Sequence, residues 1–171
     1  MRVFVTGPTR SGKTTLASKL ARRESLPLFH LDDTHWVRHP AGDVRRAPSE
    51  RLALLEQVVQ QDAWIIEGVQ FKWSDIAIER ADCIVILDIP RWQNTMRILR
   101  RFSSRCRTPG IGNRGTLKAL SDETRWSGDY YGYERKMLLD KVGRWSDKLT
   151  IIRSRQDERN LVSVIPAPSC S

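Results

Sequence analysis

Gly7-Pro8-Thr9-Arg10-Ser11-Gly12-Lys13-Thr14 constrains this chain more than anything else in it. It stands directly after the apolar run Val3-Phe4-Val5 and before a segment of helical spacing. The pattern Gly-x-x-x-x-Gly-Lys-Thr is the phosphate-loop or Walker A motif, and a strand before it with a helix after it is the setting the motif requires. Glycines at 7 and 12 let backbone N–H groups turn inward onto phosphate oxygens, and the helix start adds the positive end of its dipole. Lys13 then reaches the β and γ phosphates of a nucleoside triphosphate, while the Thr14 hydroxyl ligates magnesium. Pro8, Thr9, Arg10, Ser11 and Thr15 complete the predicted nucleotide cradle.

Five short runs rich in Val, Ile or Leu read as buried parallel strands: residues 2–6, 26–31, 63–67, 82–87 and 148–153. Helical segments alternate with them, as in βαβ units. Residues 12–23 carry Leu16 and Leu20 four apart. A second helix is opened by Ser49, read as its N-cap, with Leu52, Leu55 and Val59 on one face. Residues 91–103 place Trp92, Met96 and Leu99 opposite a row of arginines, and 130–142 read as another helix. The expectation is a three-layer α/β fold in one domain over 1–171, with a five-stranded parallel sheet flanked by helices. Between residues 103 and 128 the stretch Thr108-Pro109-Gly110-Ile111-Gly112-Asn113 and Gly115 break the periodicity and predict a mobile loop or lid. A flap is expected over about 33–48, and a frayed tail over about 156–171.

With 171 residues and 40% hydrophobic content the chain can build one core. Its three cysteines (Cys83, Cys106, Cys170) are widely spaced and outside any CxxC pair, which argues against a disulfide framework or zinc site and for a reducing cytoplasm. No run reaches the roughly 18 apolar residues of a membrane helix, and no signal-peptide pattern precedes the motif. The net charge is +9, and seven arginines (Arg91, Arg97, Arg100, Arg101, Arg105, Arg107, Arg114) fall in a stretch with no acid. Such a stripe is either a solvated helix face or a site for anions.

Ligands of an open parallel sheet bind at the carboxyl ends of its strands, so acids there form a set. Asp32 and Asp33 follow the second strand, Glu67 closes the third, and Asp88 ends the fourth. Phosphoryl transfer needs one carboxylate near magnesium and one to orient or deprotonate an acceptor hydroxyl. Asp32, Asp33 and Glu67 are placed to supply both. Asp88, just before Pro90, reads as a loop or capping residue. His30, His35 and His39 lack zinc spacing and read as structural or substrate-contacting. Among six tryptophans, Trp64 and Trp92 read as core, whereas Trp36 and Trp73 could line an acceptor pocket.

These residues together resemble the adenylate-kinase-like small P-loop kinases, in particular the topology modulation (FlaR-like) subgroup, over roughly residues 1–155. The marks are the phosphate loop, His30-Leu31-Asp32-Asp33-Thr34-His35-Trp36, Trp64-Ile65-Ile66-Glu67-Gly68 and Leu87-Asp88-Ile89-Pro90-Arg91-Trp92. The resemblance implies a five-stranded core with a lid and a flap, and ATP with Mg2+ as phosphoryl donor. It gives Glu67 the organisation of the magnesium waters, Gly68 the backbone approaching the acceptor, and Arg97 and Arg101 the clamp on the transferred phosphate. Arg125 or Arg135 would add a lid contact, and Arg153 with Arg155 would flank the nucleotide base. Asp32 aligns with the acceptor-orienting carboxylate, ahead of Asp33. The arginine that holds the AMP phosphate in adenylate kinases is missing from Glu67-Gly68-Val69-Gln70-Phe71-Lys72-Trp73. Lys72 could substitute, but the more natural inference is an acceptor other than AMP.

The expected function is therefore an ATP-dependent kinase acting on a small-molecule or nucleotide acceptor, in the cytoplasm, as monomer or homodimer and without membrane association. A nucleic-acid-associated ATPase or DNA-binding regulator is the competing reading, motivated by the charge, although no helix-turn-helix, zinc finger or RNA-binding motif is evident. A GTPase-like switch would need an Asn-Lys-x-Asp motif, which the sequence lacks.

Overall fold

The computed structural model describes residues 1–39, 42–107 and 117–164. The chain runs β1 (Arg2–Thr6), α1 (Lys13–Glu24), β2 (Leu28–His30), α2 (Leu31–His35), β3 (Trp36–Val37), β4 (Val44–Arg45), α3 (Pro48–Val59), β5 (Trp64–Glu67), α4 (Asp75–Arg80), β6 (Cys83–Leu87), α5 (Arg91–Arg107), α6 (Leu117–Asp129), α7 (Arg135–Val142), β7 (Leu149–Ile152) and α8 (Arg155–Val164). A π-helical turn, Tyr130–Glu134, joins α6 to α7. Five strands form one parallel sheet in the order β2-β5-β1-β6-β7, and β3 pairs antiparallel with β4 in the flap.

Side chains alternate across a strand, so each inner strand feeds two cores. Phe4, Trp64, Ile66, Ile84 and Ile86 point to one side, where Leu55 and Val59 of α3, Ala77 and Ile78 of α4, and Leu138 and Val142 of α7 cover them. Val3, Val5, Ile65, Val85 and Leu87 point to the other, against Leu16, Ala17 and Leu20 of α1 and Leu161 of α8. This is the expected three-layer α/β fold: a five-stranded parallel sheet flanked by helices. In register β1 sits between β5 and β6, with Val5 opposite Glu67 and Thr6 opposite Ile86. The chain therefore leaves the centre of the sheet straight into the phosphate loop.

Several expectations change locally. The second strand is shorter than 26–31 because Leu31 turns inward and opens α2, a short helix that carries Asp32 and Asp33. Ser49 is not an N-cap: Ala47 takes that position and Pro48 is at the first helical residue, where its missing N–H costs nothing. The irregular stretch from 103 is largely helical, since α5 continues to Arg107 and α6 begins at Leu117. The Thr108–Gly115 part of the predicted lid lies outside the described residues, as do Pro40 and Ala41 of the flap. The tail forms α8 through Val164, and its Pro166–Ser171 end is likewise outside. Trp64 is fully buried, but Trp92 is 67% exposed, because α5 turns its Trp92-Met96-Leu99 side to solvent and packs Asn94 and Ile98 inward.

Candidate active site

The phosphate loop takes the shape its glycines foretell. Gly7 has φ +142°, and a Cβ there would lie 2.6 Å from the Leu87 carbonyl oxygen, so only glycine lets β1 pass this close to β6. Arg10 and Gly12 also hold positive φ, at 62° and 105°. Left-handed residues interspersed in a turn point successive N–H groups into one concavity, the geometry of an anion nest. Beyond it, α1 is 12 residues long and opens at Lys13, adding its N-terminal dipole. The Ser11 hydroxyl is buried with no hydrogen-bond partner among the described residues.

Lys13 is 7% exposed and donates to the Pro8 carbonyl at 2.7 Å. Burial pulls its ammonium down to about 8 from the usual 10.5, although Glu67 and Asp32 oppose the drop. An ammonium held in a poorly solvated site without its own carboxylate suits a polyanionic ligand. Beside it, the Thr14 hydroxyl donates to Glu67 Oε1 at 3.1 Å, and His30 Nδ1 is 2.6 Å from the same oxygen. A hydroxyl and a carboxylate are hard oxygen donors of the kind magnesium selects. The two residues expected at the metal are thus brought together, and both line the cleft with Lys13.

That cleft has a volume of about 520 Å³ and runs from Gly7, Pro8, Thr9 and Arg10 to Asp32, Gly68, Trp36, Lys72 and Trp73. Gly68 is obligatory, since a Cβ there would meet Leu31 Cβ at 2.6 Å. Asp32 is exposed to the cleft and accepts a hydrogen bond from Gln70 Nε2. Asp33, by contrast, is on the outer side of α2, is not among the cleft-lining residues and faces Arg38 at 3.8 Å. Trp73 stacks on the buried His35, and Arg51 is 4.8 Å from its ring centre. Both ring nitrogens of His35 face guanidinium groups, Arg45 at 3.1 Å and Arg51 at 3.4 Å. Burial first, and then these two cations, lower the His35 pKa.

The arginines divide by role. Arg97 donates to the Ser11 carbonyl at the back of the loop, against Gly12. Arg101 lines a neighbouring cavity with Arg10, Arg105 and Glu123, and not the cleft that holds Lys13. Arg153 is turned to Asp88, its Nε 3.4 Å from the carboxylate, and does not line the cleft. Arg125 reaches Asp122 on its own helix. Asp88 proves more than a loop acid: its buried carboxylate is held bidentately by Arg135, at 2.7 Å twice.

Several site residues were not singled out in the sequence. Glu123 of α6 grips Arg10 of the loop and accepts from Arg105 at 3.2 Å. Asn94, fully buried on α5, donates to the Thr9 carbonyl at 2.6 Å and accepts from Ser127 at 2.8 Å. Trp126, Asp129, Tyr130 and Glu134 come from α6 and the π turn to line the cleft. Asp122-Glu123 are the first acids after the arginine-only run, the one signal that could have flagged a partner for it.

Two solved structures resemble the chain along nearly its whole length. One is a shikimate kinase from Bacteroides thetaiotaomicron, 17% identical with a TM-score of 0.53, covering 95% of this chain and 94% of that one. The other is a gluconokinase from Sinorhizobium meliloti 1021, 14% identical with a TM-score of 0.51, covering 95% and 87%. At such identity the likeness is one of fold alone. No family model matches the chain, and no curated protein does.

Proposed function

We propose that this protein is an ATP-dependent phosphotransferase that moves the γ-phosphoryl group of magnesium-ATP to a hydroxyl of a small-molecule acceptor. The observation that carries the reading is one continuous cleft lined by the loop, Lys13, Thr14 and Glu67 together with the exposed Asp32 carboxylate. The structural neighbours named as kinases agree with it. So does the resemblance to the topology modulation subgroup, with a cytoplasmic setting for its thiols.

The work of this chain is positioning and electrostatics, as phosphoryl transfer requires. The nest and the α1 N-terminus bind the phosphates, and Lys13 gives up its carbonyl partner for phosphate oxygens. Thr14 and Glu67 would hold magnesium, which neutralises charge on the phosphates when bound. Asp32 orients the acceptor hydroxyl and takes its proton as the oxygen attacks phosphorus, with Gln70 fixing the carboxylate. Arg97 holds the loop in shape, and Arg101 reaches the transferred phosphate if α5 and α6 close over the cleft.

The test follows ADP release from ATP against a panel of acceptor alcohols, for the wild-type protein and Asp32→Asn. The variant should bind ATP unchanged and lose roughly 10²- to 10⁴-fold in turnover, the usual worth of a positioned general base. Near-wild-type turnover by Asp32→Asn, or a wild-type protein that binds no ATP, would refute the proposal.

A further inference from the structure

The acceptor end of the cleft has charges and orphaned polar groups whose pattern selects among acceptors. Its two cations are already engaged. Lys72 is bonded to Glu134 at 2.6 Å, and Arg45 donates to His35. The lining as a whole carries four carboxylates, Asp32, Glu67, Asp129 and Glu134, against four cations, Arg10, Lys13, Arg45 and Lys72, so that once the phosphates of ATP sit on the loop and Lys13 no surplus positive charge is left for a second polyanion. A phosphorylated acceptor would bring about two further negative charges at neutral pH into that field, and like charges in one partly desolvated cleft repel by several kcal/mol. Uncharged hydroxyl groups meet no such barrier, because they donate readily to carboxylates.

The orphans point the same way. Tyr130 is 4% exposed, lines the cleft, and its hydroxyl has no hydrogen-bond partner among the described residues. The Gln70 side-chain oxygen is also without one, while its amide is spent on Asp32. An unmet buried donor or acceptor costs about 1–3 kcal/mol, and a bound hydroxyl can both donate and accept. The π turn explains how these groups come together. Its extra residue per turn sets Tyr130 and Glu134 on the cleft side with Asp129, at the kind of helix irregularity that often marks functional sites. Two indoles, Trp36 and the half-exposed Trp126, supply flat apolar surface on which a ring can lie.

We infer that the acceptor is an uncharged, ring-bearing polyol, held by Tyr130, Gln70 and Asp129 with its ring against the indoles and one hydroxyl on Asp32. This rests on the phosphotransferase reading and narrows it. Two sources share that chemistry: a free sugar or cyclitol, and the ribose of a nucleoside. In the transfer step the acceptor O–H bond breaks, its proton passes to Asp32, the new O–P bond forms, and the γ-phosphorus bond to the leaving ADP oxygen breaks.

The test titrates the full chain, loaded with magnesium and a non-hydrolysable ATP analogue, with acceptors read by tryptophan fluorescence, and measures ADP release with ATP in parallel. The panel sets neutral sugars, cyclitols and nucleosides against their phosphate esters and against hydroxy acids. A neutral member should bind and turn over, with kcat/KM at least about 100-fold above its phosphate ester. Tyr130→Phe should raise KM about tenfold with little change in kcat, as loss of uniform binding does. Glu134→Gln releases Lys72 from its partner and should shrink the preference for the neutral member by about tenfold. Preference for phosphorylated or carboxylate acceptors, or no binding of any neutral member at millimolar concentration while the ATP analogue binds, would overturn the inference and leave the phosphotransferase reading standing. Failure of the analogue itself to bind would instead remove that reading, and this inference with it.

Discussion

Lys13 is asked to wait, charged, in a poorly solvated loop until phosphates arrive, and that waiting is measurable as lost stability. Burial lowers its pKa from 10.5 to about 8, a drop equivalent to roughly 3 kcal/mol of penalty on the charged form. Lys13→Met keeps the apolar stem and removes the ammonium. It also removes the hydrogen bond to the Pro8 carbonyl, worth about 1–2 kcal/mol, so the net expectation at pH 7 is a gain of about 1–2 kcal/mol, or a few degrees in Tm. The sign with pH is fixed by proton counting. Below about pH 8 the folded and unfolded wild type both carry the proton and the penalty is full. Between about 8 and 10.5 the unfolded chain keeps a proton that the folded chain has released, so wild-type stability rises with pH and the variant's advantage shrinks. Magnesium-ATP should reverse the order at pH 7 by stabilising the wild type alone. Urea midpoints at pH 7 and pH 9.5, with and without nucleotide, read all of this. A variant less stable than wild type at pH 7 without nucleotide, or an advantage that does not narrow by pH 9.5, would refute the reasoning.

Asp88→Ala leaves two partly exposed guanidinium groups, Arg135 and Arg153, without their shared carboxylate; with solvent screening what is left of them, it should cost about 1–2 kcal/mol by urea denaturation at pH 7. Burial alone would raise the Asp88 pKa, but the two arginines outweigh it and hold the group below 3.8. Its contribution is therefore present above that value and lost as pH falls through the folded pKa, so wild type and variant should converge in acid. Trp64→Ala should cost about 3–5 kcal/mol, whereas Trp92→Ala should stay within about 0.5 kcal/mol; equal losses in thermal melts would contradict the packing described for α5.

The parts legible in the sequence were those governed by local rules. Apolar runs gave five strands to within one or two residues, and the motif located the loop, Lys13, Thr14 and, through the acid at the end of β5, Glu67. What escaped depended on tertiary partners. Periodicity identified an amphipathic α5 but chose the wrong side, because Trp92, Met96 and Leu99 look like core until Asn94 and Ile98 are seen to pack inward. Asn94 is polar, and nothing local says that a Thr9 carbonyl and a Ser127 hydroxyl wait for it. The same holds for Asp88, whose partners are 47 and 65 residues away. Only the resemblance put Asp32 ahead of Asp33; the short α2 sets Asp32 on the cleft and Asp33 on the outer side, since adjacent helix positions face different ways.

The arginine stripe shows how net charge misleads when partners are unknown. Read as a sum, it argues for a polyanion on the surface. In the fold, Arg97 is spent on the Ser11 carbonyl and Arg105 pairs with Glu123, which also holds Arg10 of the phosphate loop. With Asn94 on the Thr9 carbonyl, these contacts tie α5 and α6 directly to the loop that would receive the phosphates. Bound phosphate must compete with or tighten these ties, because they engage the same few residues whose N–H groups form the nest. On the phosphotransferase reading, α5 and α6 would therefore have a mechanical reason to respond to the nucleotide. Two arginines of the stripe, Arg97 and Arg105, are thus part of the loop's own support, and the +9 total counts them as if they were left for a nucleic acid.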